Sequence, residues 1–405
     1  MPNPNQTISR TLIATLGTLV ALSAIAIDIS LPAIPLIAAD LGIAGADAQY
    51  VISAYLAGFG LAQLPIGLAA DRIGRRPVLF CGLVLYLAAS VGASFASSLP
   101  EVITARFVQG LGGAVGPVLA RAIARDLAGG QEGARLQSLL ISVLTIAPLM
   151  APLVGSGLVT IWTWRAVFVA TALIGGVVLV LAAAVVPETG QLRRHAHPLV
   201  HLGHGARAYF SRRSCWVGLG MLSLPMAGFT AVLTASSSVM ADVFGVSPQQ
   251  FGLLFSAWAV AFLASTLFNR RALTRRPPSS LLGFGTTLLS ASGLLLALQL
   301  IAGDMGLAAF WGGIAVYILA LGLLGPNATA LILEDIPDYS GIAASISGTI
   351  QLGLGAATSL AVAWLYDGTT ASLLAILTGA AAATLAWWWL LGRATWPDAA
   401  RRQTP

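Results

Sequence analysis

Two ionisable side chains stand inside otherwise apolar runs of this chain. Asp28 lies within Ala26-Ile27-Asp28-Ile29-Ser30-Leu31-Pro32-Ala33-Ile34-Pro35, and Arg106 opens Arg106-Phe107-Val108-Gln109-Gly110-Leu111-Gly112-Gly113. An Asp at the centre of a membrane helix costs about 2.5 to 3.5 kcal/mol, so it faces a water-filled cavity or a partner. The alternative is a helix-end acid solvated at the outer interface, which Pro32 and Pro35 would allow. In a cavity, Asp28 can bind a proton from one side and release it to the other. A buried guanidinium such as Arg106 binds a carboxylate or tunes it; otherwise it snorkels to the headgroups. Tyr55, Gln63, Gln109, Trp258, Asn327 and Gln351 are further polar or aromatic groups in apolar runs. Each either lines a substrate cavity or is a satisfied interhelical contact or lipid-facing ring.

Two further constellations concern motion and packing. Between two apolar runs, Gly67 to Leu79 gathers Gly67, Asp71, Arg72, Gly74, Arg75, Arg76 and Pro77. We read it as a polar hinge in which glycines permit close approach and a tight backbone, while Asp71 and the arginines form a switchable ion-pair set. The second constellation is Pro148, Ala151, Pro152 and Gly155. Prolines at i and i+4 share a helix face, free backbone carbonyls and kink the helix, and the small residues admit a close neighbour.

Membrane helices must position these groups. Of the 405 residues, 57% are hydrophobic and 9% charged, against roughly 25% charged in soluble domains. Apolar runs of about 20 residues match a hydrocarbon core of about 30 Å. Val78 to Leu99 and Ser279 to Ala302 are apolar all round, unlike the alternating short strands of a β-barrel. The patterning predicts twelve helices, near 11–31, 49–70, 77–97, 101–121, 136–158, 165–186, 214–238, 250–269, 280–302, 307–331, 341–365 and 371–392. An even count puts both termini on one side, and nearly all the arginines fall there. Asp40, Asp47, Asp242, Asp304 and Asp367 fall opposite, so the arginine-rich side is cytoplasmic by the positive-inside rule. The net charge of +6 is thus a topology signal, and no nucleic-acid partner is expected.

All 21 basic side chains are Arg, which excludes a P-loop and lysine Schiff-base chemistry. Cys81 and Cys215 offer neither a disulfide framework nor zinc spacing, and no cofactor is expected. Residues 187–213 form the longest polar stretch and are read as a linker between a six-helix half at 1–186 and another at 214–405. Arg75-Arg76-Pro77 recurs as Arg275-Arg276-Pro277, consistent with a parallel repeat. The second copy carries Arg271 at the place of Asp71, so only the first is expected to switch. His195, His197, His201 and His204 all lie in the linker and read as a solvated tract rather than a metal site. The first helix resembles a signal peptide superficially, but it runs on into Asp28 and its prolines.

Gly67 to Leu79 resembles the loop between helices 2 and 3 of the major facilitator superfamily. Arg106 to Gly113 resembles the helix-4 motif of its drug:proton antiporters, and Ala151 to Ser156 a looser copy of their Gly-Pro-x-x-Gly-Gly signature, with Ala151 and Ser156 in place of glycines. Asp28 to Pro35, Arg121 to Asp126, Trp164-Arg165, Ser247 to Phe255, Pro326 to Ala328 and Gly341 to Gln351 resemble the bicyclomycin/chloramphenicol-resistance (Bcr/CflA-type) branch. Ser30 replaces that branch's usual Tyr, and Ser237 a typical Pro. The resemblance implies an all-α membrane fold of twelve helices in two pseudo-symmetric halves. It also implies a bacterial inner-membrane carrier, working as a monomer, that exchanges protons for small amphipathic drugs by alternating access. Asp28 and Arg106 would couple the proton, and Gly67, Asp71, Arg72, Gly74, Arg75 and Arg76 would gate. An exporter of a native metabolite, such as an amino acid or a biosynthetic product, is the alternative. No nucleophile or acid-base constellation supports an enzyme.

Overall fold

The computed structural model describes residues 9–128, 130–190, 198–303 and 305–392, and these contain helices and no strands. Helices dominate because each residue's backbone groups are satisfied within its own segment, which an apolar surround demands. The elements are α1 (Arg10–Asp28), α2 (Ile34–Leu41), α3 (Gly45–Ile73), α4 (Arg75–Phe95), α5 (Leu99–Gly113), α6 (Val115–Leu127), α7 (Gly130–Ile161), α8 (Arg165–Val185), α9 (Pro198–Ser211), α10 (Arg213–Asp242), α11 (Pro248–Ala272), α12 (Pro278–Ala302), α13 (Leu307–Asp335), α14 (Ser340–Leu365) and α15 (Ala371–Trp387). Eleven described segments, with α1–α2 and α5–α6 each counted once, are long and apolar enough to cross a membrane; α7 adds the shorter apolar stretch Ile146–Ile161.

The chain divides into two units, Met1–Arg194 with Val246–Ser256, and His195–Gly245 with Ala257–Pro405. In the first, α3 packs on α5, α4 on α5 and α8, and α1 on α6 and α7. Gly58 and Gly110 bring α3 and α5 together, because a Cβ on either would strike the opposing backbone carbonyl of Phe107 or Tyr55. In the second, α10 packs on α13, α14 and α15, and α12 on α13 and α15.

Four departures from the expected helices matter. The first helix stops at Asp28, and a 3₁₀ turn at Leu31–Ala33 containing Pro32 leads into α2. The fourth is interrupted at Ala114, whose N–H reaches both Gly110 O and Gly112 O; Pro117 lacks a donor and crowds the carbonyl of Gly113. The second continues through Asp71 to Ile73, so the expected polar hinge contracts to Gly74 alone. Finally, part of the polar linker is helical, as α9. Tyr209 anchors α9 in a buried cluster with Cys215, Leu219, Ile332, Ile336 and Ala343, and its hydroxyl lies 2.7 Å from Ser347 Oγ.

Candidate functional site

Arg106 is completely buried, so it does not snorkel. Its Nη1 donates to Ala26 O (3.2 Å) and Gln109 Oε1 (2.7 Å), its Nη2 to Ser30 Oγ (3.2 Å) and its Nε to Val51 O (3.3 Å). The guanidinium carbon lies 4.4 Å from the Tyr55 ring centroid and 5.9 Å from that of Phe168. Aromatic faces and neutral oxygens thus satisfy a charge whose burial would otherwise be prohibitive. The expected carboxylate partner is not in contact: among the described residues Arg106 forms no ion pair.

Asp28 is 4% exposed and ends α1. Ala26 and Ser30, which Arg106 holds, bracket it in sequence. Arg106 therefore grips the backbone turn that carries the acid rather than the acid itself. Ser30 Oγ also donates to Ile27 O (2.7 Å), fixing the hydroxyl that receives Arg106. Gly155 closes the other side, since a Cβ there would collide with Ile29 O and approach Pro32 Cγ. Pro148, Ala151 and Pro152 lie on the same continuous helix α7, with Ala151 buried. Ser156, one of the two departures from glycine in this motif, donates to Pro248 O at 2.7 Å within the first unit.

The polar network continues from Arg106 through Gln109, whose Nε2 donates to Ser90 Oγ (2.7 Å) and Thr171 Oγ1 (3.3 Å). Tyr55 is buried under Arg106, with its hydroxyl 3.5 Å from Ser23 O. Of the six cavity candidates, Tyr55 and Gln109 join this network. Gln63 does not, and its Nε2 is buried without a hydrogen-bond partner among the described residues. Trp258, Asn327 and Gln351 belong to the second unit. There Trp258 donates to Trp311 O (3.1 Å), Asn327 Nδ2 to Asn269 Oδ1 and Leu323 O (both 2.7 Å), and Gln351 Nε2 to Leu222 O (3.2 Å). Ser90 and Thr171 escaped sequence reading, because a hydroxyl in an apolar helix carries no signal of which neighbour it meets.

At the α3–α4 corner, Arg75 Nη1 pairs with Asp71 at 2.7 Å and its Nε with Asp126 Oδ2 at 3.2 Å. Glu188 then caps α4, accepting from the N–H groups of Arg75 (2.9 Å), Arg76 (3.0 Å) and Gly190 (2.8 Å). Partial desolvation pushes the Glu188 carboxyl up, but these three donors and the Arg75 charge outweigh it and hold the group below the usual carboxylate range. Gly74 has φ 112° and ψ 157°, a conformation essentially reserved for glycine. A Cβ on Gly67 would meet no neighbour among the described residues, so no close approach of described helices depends on it. Arg76 donates to Ala183 O (2.8 Å) and lies over Phe80, while Arg72 is exposed without an ion pair among the described residues. Asp126 and Glu188 had no assigned role in the sequence, because their partners lie some 50 and 110 positions away.

Asp335, the last residue of α13, accepts from the Ser214 hydroxyl and lies 3.9 Å from Arg212. His195, His197 and the side chain of His201 lie outside the described residues; His204 is exposed on α9.

The family model of the Major Facilitator Superfamily matches residues 16–359. The chain is 32% identical to multidrug resistance protein D of Escherichia coli (strain K12) over 350 residues, covering 86% of this chain and 88% of that protein. It is 29% identical to a bicyclomycin resistance protein homolog of Haemophilus influenzae over 368 residues, covering 89% and 91%. Among solved structures, it shares its fold with a POT family transporter in complex with 5-aminolevulinic acid (TM-score 0.73, 15% identity, 94% and 96% covered). The xylose transporter XylE of E. coli has the same fold (TM-score 0.70, 15% identity, 94% and 96% covered). The chain belongs to the major facilitator superfamily, in its bicyclomycin/chloramphenicol-resistance (Bcr/CflA-type) branch.

Proposed function

We propose that this protein exports small amphipathic compounds, chloramphenicol- or bicyclomycin-like, across the bacterial inner membrane in exchange for protons. The observation that carries the reading is the buried Asp28 on a turn gripped at Ala26 and Ser30 by Arg106, with no ion pair of its own among the described residues. An acid neutralised by a fixed salt bridge could not cycle; an acid beside an arginine already satisfied by neutral oxygens can. Proton arrival discharges Asp28 and favours release of the exported compound, and proton loss on the cytoplasmic side resets the carrier by alternating access. The driving force is adequate, at about 2.3 kcal/mol per 100 mV plus about 1.4 kcal/mol per pH unit. In this reading both termini are cytoplasmic and the protein works as a monomer. The relatives' names, which concern multidrug and bicyclomycin resistance, support the substrate class.

The test is efflux from proteoliposomes under an imposed pH gradient, with a panel of antibiotics and amino acids. Exchange of an antibiotic that ceases with an uncoupler and in Asp28→Asn is expected. Undiminished pumping by Asp28→Asn would overturn the reading, and amino-acid exchange alone would redirect it to a metabolite.

A further inference from the structure

We infer that the α11–α12 corner binds the headgroup phosphate of an anionic phospholipid. Arg270, Arg271, Arg275 and Arg276 crowd into seven residues there and are all exposed. The corner is compact, since the N–H groups of Arg275 and Arg276 both reach Ala272 O at 2.9 Å and that of Thr274 reaches Arg271 O at 3.3 Å. All four arginines thus leave one short, tightly turned stretch of chain. Nothing nearby in sequence neutralises them, because no Asp or Glu occurs between Asp242 and Asp304. None of the four forms an ion pair among the described residues: Glu334 is exposed and unpaired with them, and Asp335 is held by Ser214 and Arg212.

Directly along the chain from this charge lies an exposed apolar band. Leu267, Phe268, Leu273 and Phe284 are 40 to 53% exposed, and the Phe268 and Phe284 rings lie 6.4 Å apart across α11 and α12. Charge above an aromatic and aliphatic belt is the pattern that recognises a phospholipid, with guanidinium forks on the phosphate and acyl chain along the rings. A zwitterionic lipid offers no net charge to four arginines that form no ion pair among the described residues, so the surface selects an anionic headgroup. The inference is independent of the transported compound.

The experiment titrates full-length protein in detergent with phosphatidylglycerol, phosphatidylcholine or inorganic phosphate, following bound lipid by native mass spectrometry. We expect phosphatidylglycerol to be retained over phosphatidylcholine. The variant Arg275→Gln/Arg276→Gln should weaken its retention by about tenfold or more, whereas the charge-matched Arg10→Gln/Arg207→Gln should not. Replacing all four corner arginines by Lys keeps the charge and should keep most of the binding, which guards against misfolding of the Gln variant. Equal loss in the charge-matched control, no preference over phosphatidylcholine, or full competition by equimolar inorganic phosphate would each overturn the inference.

Discussion

Arg-Arg-Pro at 75–77 and Arg-Arg-Pro at 275–277 are the same triplet built into two different corners. In the first, one glycine joins α3 to α4, Arg75 is shared by Asp71 and Asp126, and Glu188 caps the incoming helix. In the second, Leu273 to Pro277 separate α11 from α12, and no acid meets the arginines among the described residues. A repeat therefore preserves the charge while only one copy preserves the partners. The first corner holds two carboxylates on one arginine. The second presents its four arginines exposed.

Breaking the first corner at its backbone should do most. Gly74→Ala forces a side chain into φ 112° and toward the Glu188 carboxylate, so we expect a loss of about 1 to 3 kcal/mol in thermal unfolding. Thr274→Gly at the equivalent place in the second corner should change stability by less than about 1 kcal/mol. Next in size is Arg75→Gln. Its side chain is only 11% exposed and serves two carboxylates, so a shift of about 1 to 2 kcal/mol in conformational balance, roughly five- to thirtyfold, should appear in transport rates. Arg275→Gln should leave transport within about 0.5 kcal/mol of wild type, and equal defects from both would erase the asymmetry.

The smallest effect concerns pH. Because the Glu188 carboxyl is held below its ordinary range, its stabilising contribution is complete above that range and fades as pH falls through the lowered value. Glu188→Gln should therefore cost about 0.3 to 1 kcal/mol at neutral pH, and the difference from wild type should vanish in strong acid. A gap between the two melting curves that persists unchanged in acid would remove Glu188 as a charged cap.

How legible this was depended on whether a residue's role was local. Asp28 and Arg106 stood out because charges in apolar runs are costly wherever they point. The glycines and prolines of α7 stood out because backbone chemistry is written in single residues. Ser90 and Thr171 did not, since membrane-helix hydroxyls commonly bond their own preceding turn, as Thr15 does with Thr11 O and Thr18 with Ala14 O. Glu188 was hidden in a polar stretch whose composition suggested only solvent. The run around Asp71 looked like a loop because it is polar, yet a glycine in an unusual conformation with an acidic cap removes the need for one. The helix α9 was obscured for the same reason, its buried Tyr209 outweighing a hydrophilic neighbourhood. That Arg106 holds the turn around Asp28, rather than Asp28 itself, depends on how α5 meets α1 and α3 in three dimensions, which no local pattern encodes.

The most direct measurement is proton release on substrate binding. Purified protein in weak buffer with a pH indicator dye receives a compound that it exports. Wild type should acidify the medium and Asp28→Asn should not, with binding of the compound retained in both. Proton release of equal size from Asp28→Asn would contradict proton coupling through Asp28.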